Sequence, residues 1–155
     1  MNIWLKRLIA WPAATFVCTA LAAFISSQRV LNQLPDPLGQ IGLSERVFTA
    51  FYDIQHFGSL YGLFILIAFL IAFLAGGLIF RFAKFGRPIV YMVAGAVAMM
   101  VMLIAMKQAF FGVDIVAGAR DGFGLALQML SGAVGGYVFA RLTKPRSLMP
   151  ATHAA

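Results

Sequence analysis

GSLYGLFILIAFLIAFLAGGLIF, residues Gly58 to Phe80, carries no charged side chain and no proline. As a helix rising 1.5 Å per residue it is about 34 Å long, enough to cross roughly 30 Å of bilayer hydrocarbon. No polar stripe divides it, so every side of the helix must meet an apolar environment. Three further stretches have the same character: Leu8 to Ser27, Ile89 to Met106, and Gly122 to Ala140. The shortest still covers about 27 Å. The spacing predicts an all-α integral membrane protein, a bundle of four transmembrane helices.

Composition agrees. Of 155 residues, 62% are hydrophobic and 11% charged, whereas a soluble domain carries about a quarter charged residues. The net charge of +7 does not imply nucleic acid as a partner. Nucleic-acid binders gather their cations on one solvent-exposed face, and here they flank apolar runs. The implied partner is the lipid bilayer, together with other membrane subunits or a second copy of the chain.

Lys6, Arg7, Arg81, Lys84, Arg87, Arg141, Lys144 and Arg146 fall on one side of the four spans, without an acidic residue. The other side holds Arg29, Arg46, Lys107 and Arg120 against Asp36, Glu45, Asp53, Asp114 and Asp121. Lys and Arg in short loops stay cytoplasmic, which predicts both termini inside, in the style of a bacterial inner membrane. The expected domain covers residues 1–146, with a disordered tail over 147–155 that contains His153. Lys6-Arg7 and the later Ala20-Leu21-Ala22 also resemble a cleavable signal peptide, but the apolar run continues past them, which favours an uncleaved helix. Trp4 and Trp11 suit the interfacial aromatic belt, and Pro12 is expected near the helix start, where a missing N–H matters least.

The first outer loop opens on the breakers Leu34-Pro35-Asp36-Pro37. From Ser44, a good N-cap, Leu43, Val47, Phe51, Ile54 and Phe57 recur at helical spacing, opposite Glu45, Thr49, Asp53 and His56. This pattern predicts an amphipathic helix lying in the outer interface. The second outer loop, Lys107 to Asp121, is glycine-rich and expected to be irregular or partly re-entrant at the surface.

Helices in lipid associate by close packing and hydrogen bonds, so small residues four apart mark their contacts. Gly124, Gln128, Gly132 and Gly136 form one such row, Ala68, Ala72 and Gly76 a second, and Ala94 with Ala98 extends the pattern. Gln128 is the strongly polar side chain expected within a span. Its amide needs a partner that lipid cannot supply, which predicts an interhelical bond; a ligand or ion contact is the alternative.

A candidate outer polar site gathers Asp53, His56, Asp114, Arg120 and Asp121. Asp53 and His56 are three residues apart and can touch, so a carboxylate–histidine metal site is weighed against a solvated rim ordered by salt bridges, and the rim is favoured. Met92, Met99, Met100, Met102 and Met106 raise Cu(I) binding by thioethers, but no histidine or cysteine shares their helix, and methionine also fills core gaps. Cys18 is the single cysteine, which excludes an intrachain disulfide. Haem ligation between spans has no histidine to use, and no nucleophile–base pair stands out. The expectation is a non-enzymatic accessory or assembly subunit of a larger membrane complex. A homo-oligomeric solute or ion transporter and a metal protein using the Asp53–His56 rim are the alternatives, and no cofactor is named by the residues.

Overall fold

The computed structural model describes residues 3–33, 44, 47–48, 51–52, 58–83, 86–111 and 116–144. Four helices in it are long and apolar enough to cross a membrane, and no strand occurs among the described residues. They are α1 (Ile3–Gln33), α2 (Gly58–Ala83), α3 (Arg87–Ala109) and α4 (Gly122–Leu142). A single 3-10 turn, Ala117–Ala119, leads into α4.

Local chemistry explains the ends. Pro88 sits in the first turn of α3, where its fixed φ suits a helix and its absent N–H has no partner to lose. Asp121 caps α4 by accepting the Gly124 N–H at 3.1 Å. Beyond α3, Phe111 adopts a φ of 56°, the left-handed conformation that ends many helices and that glycine usually takes. Pro12 differs from expectation. Since α1 begins at Ile3, Pro12 lies inside the helix and removes the bond its N–H would give to the Leu8 carbonyl.

Contacts between helices fix the register. Thr19 of α1 lies against Gly62 of α2, and the Trp11 indole N–H donates to the Leu66 carbonyl at 3.0 Å. Gly95 of α3 meets Gly132 of α4, while Tyr91 meets Gly136. Cys18 lies beside Ser131 and Ala22 beside Gln128, joining α1 to α4. At each seam rising numbers on one helix meet falling numbers on the next. Neighbours are therefore antiparallel, and the helices close a ring in chain order, with the most extensive contact between α3 and α4.

An aromatic cluster fills the ring toward the α2–α3 connection. Phe73 stacks on Phe139 with centroids 4.2 Å apart, and Tyr91 meets both rings edge-on. Such pairs add about 0.5–1.5 kcal/mol each beyond their buried area. At the opposite end Val116 is buried, and Gly118 rests on Ser26 of α1. Residues 116–119, the described part of the second outer loop nearest α4, thus pack against the end of the bundle.

Candidate functional site

The site begins with Gln128, whose side chain is wholly buried. It lies six residues into α4, about 9 Å along the axis from the helix start. Its Nε2 donates to the Ala22 carbonyl at 3.1 Å and to Ser26 Oγ at 2.7 Å. Its Oε1 accepts from the Tyr61 hydroxyl at 3.2 Å. The Ala22 carbonyl can only accept, so chemistry itself fixes which end of the amide faces α1. One side chain therefore binds α1, α2 and α4 together.

One turn along, Ser131 donates to the Gln128 backbone carbonyl at 2.7 Å. Cys18 lies 3.8 Å from the Ser131 hydroxyl and donates to Met99 Sδ at 3.7 Å. Tyr61, Ser26 and Ser131 thus converge on Gln128 from three helices, and Cys18 extends this polar seam from Ser131 to Met99 of α3. Of the methionines spaced by seven, Met99 and Met106 face the core while Met92 is exposed. The structure brings Met99 to a cysteine from another helix, which inspection of α3 alone could not show.

The fourth-helix row divides by partner. Gly132 and Gly136 abut the α3 backbone at Gly95 and Tyr91, while Gly124 lies under the Gly118 carbonyl. A side chain at Gly95, Gly132 or Gly136 would collide with backbone that cannot rotate away. The second-helix row behaves differently. Gly76 is buried against Tyr91 and Ala94, but Ala68 and Ala72 are only half-buried and line a groove between α2 and α3.

Of the candidate outer site, Asp53, His56 and Asp114 lie outside the described residues. Arg120 is exposed and borders a small cavity of about 230 Å³ that also touches Lys107 and Leu125. Asp121 is bonded by Arg29 Nη2 at 2.6 and 2.7 Å, and the Arg29 guanidinium lies 5.1 Å from the Phe123 ring centroid. Among the described residues no cluster of three His, Cys, Asp or Glu side chains could hold a metal. Asp121 is both cap and ion-pair partner, whereas Arg29 adds to the pair only a contact with the exposed Phe123 ring. Asp121→Ala should therefore cost about 1–2 kcal/mol, against less than about 1 kcal/mol for Arg29→Ala, whose partner is half-exposed. Thermal melts in mild detergent check this; equal losses would show that the cap contributes nothing.

Sequence reading missed Tyr61, Ser26, Gly95 and Arg29. Two of them carried a usable mark. A tyrosine hydroxyl in an otherwise apolar helix requires a partner, and Tyr61 leads the row Ile65, Phe69, Phe73, all buried. Gly95 costs about 1 kcal/mol against alanine in a helix, which argues for a close approach. Comparison of the chain with protein-family models, with curated proteins and with solved structures finds no match. The described residues are helical and include four helices long and apolar enough to cross a membrane, which suggests an integral membrane protein.

Proposed function

We propose that the protein is a four-helix bundle with both termini cytoplasmic, in a bacterial inner membrane, serving as an accessory or assembly subunit of a larger membrane complex. The closed hydrogen bonding of Gln128 supports this reading best. Both amide N–H groups and the carbonyl are engaged by helices of the same chain, so the seam is used to hold the bundle rather than to meet a solute. The glycines of α4 sit against α3 backbone instead of lining a path. Polar chemistry is turned inward, and the outward faces of the helices are apolar side chains such as Phe16, Ile71 and Leu74. A rigid body of this kind acts through what it contacts.

The basic residues at one end set the orientation. The exposed Val47, Phe48, Phe51 and Tyr52, all in helical conformation, support an apolar face that would meet lipid in the outer interface. A tagged chain isolated from its native membrane in mild detergent should bring down other membrane proteins in fixed proportion. A pure homo-oligomer that passes solutes after reconstitution in liposomes would replace this reading with a transporter. Lys84→Cys should react with impermeant thiol reagents only from the cytoplasmic side; labelling from outside would reverse the orientation.

A further inference from the structure

An open groove runs along the α2–α3 seam. Small residues on both helices, Ala68, Ala72 and Gly76 facing Ala94 and Ala98, form the floor of this groove of about 650 Å³, whose lining is almost wholly apolar. Along α3 it runs from Ile89 to Met102, about 20 Å of helix. A thin, flexible hydrocarbon chain can lie along it, and the length exceeds the roughly 15 Å thickness of one leaflet's hydrocarbon.

One end of the groove reaches Ile79 and Ile89, beside the connection that carries Arg81 and Arg87. Arg81 is exposed and Arg87 half-buried. The Arg87 guanidinium donates from Nη2 to the Thr143 hydroxyl at 2.8 Å and lies 5.7 Å from the Tyr91 ring centroid, both neutral partners. Among the described residues neither arginine has a carboxylate partner; Asp121, the one acidic side chain described there, belongs to the opposite end of the bundle. A guanidinium held by one neutral bond keeps further N–H donors for a phosphate, whose geometry its planar fork matches.

We propose that this groove seats an acyl chain of an anionic phospholipid whose phosphate is held at Arg87, with Arg81 adding charge nearby. The hollow selects a chain and the guanidinium selects the headgroup, as basic pockets between membrane helices do. Arg87 starts α3 two residues before the groove-lining Ile89, so its long side chain has to turn from Thr143 to reach a phosphate at that end of the groove.

The test is native mass spectrometry of the delipidated full chain, titrated with dioleoyl phosphatidylglycerol or with dioleoyl phosphatidylcholine. The acyl chains are identical, so the comparison isolates the headgroup. One phosphatidylglycerol should be retained per chain in preference to phosphatidylcholine, whose choline cancels the phosphate charge, and Arg87→Gln should weaken phosphatidylglycerol about five-fold and phosphatidylcholine by less. Ala72→Leu with Ala94→Leu fills the groove and should weaken both lipids. Should that variant fail to fold, a photoactivatable acyl chain on phosphatidylglycerol should label Val93 and Val97 of the wild-type protein. Equal retention of the two lipids, undiminished binding after filling, or labelling elsewhere overturns the proposal. So does ready disulfide formation between two chains carrying Val97→Cys, which would place a second copy in the groove.

Discussion

Replacing Gly132 by alanine should destabilise the folded bundle by about 2–3 kcal/mol in mild detergent, although the same change in an open helix stabilises by about 1 kcal/mol. The sign reverses because of what the new methyl group meets. At Gly132 it would run into the Gly95 carbonyl and the Met99 side chain. At Gly95 it would meet the Gly132 carbonyl, and at Gly136 that of Tyr91. A side chain can rotate aside, but a hydrogen-bonded helix carbonyl cannot, so the two helices must move apart and lose contact along the whole seam. Gly95→Ala and Gly136→Ala should show losses of the same order. Gly122→Ala is the control, because nothing lies within 4 Å of its added carbon; it should leave stability unchanged or slightly raised. Reversible unfolding of the four variants, followed by circular dichroism, ranks them. Wild-type stability in Gly95→Ala and Gly132→Ala together would mean that α3 and α4 do not approach this closely.

The four spans were legible because their signal is redundant: each long apolar run is bounded by charge or glycine, and no soluble alternative buries that much surface. The glycine row on α4 was legible for a related reason, since Gly124, Gly132 and Gly136 share one face at regular spacing. Its counterpart on α3 was not. Gly95 stands alone, and the Ala94–Ala98 pair beside it drew attention to the face that instead borders the groove. Small residues mark where backbones can approach, yet they do not say which neighbour comes. The partners of Gln128 were hidden more deeply. Ser26 lies 102 positions away in the chain and Tyr61 lies 67 away, and helix periodicity carries no information across such distances. Arg29 and Asp121 fell on the same side by charge counting, but their pairing depends on how α1 and α4 are docked.

Exchange of Gln128 for methionine should cost about 2–4 kcal/mol. Methionine matches glutamine in length and is at home among apolar side chains, so packing is nearly kept while three hydrogen bonds are lost. In membrane proteins such bonds average about 0.6 kcal/mol, which gives roughly 2 kcal/mol. The rest comes from taking the amide away from the buried Tyr61 hydroxyl and the part-buried Ser26 Oγ. Tyr61→Phe removes only its own bond, and a double-mutant cycle between the two positions should return a coupling of about 0.6–1.7 kcal/mol. That measurement separates two roles for the amide. If Gln128 ties three helices, stability falls and the coupling is positive. If the amide were kept for a ligand, Gln128→Met would remove an expensive buried polar group that the fold does not need, and the variant would be as stable as the wild type or more so. A coupling near zero would therefore remove the seam as a structural device and return Gln128 to the list of residues that bind something else.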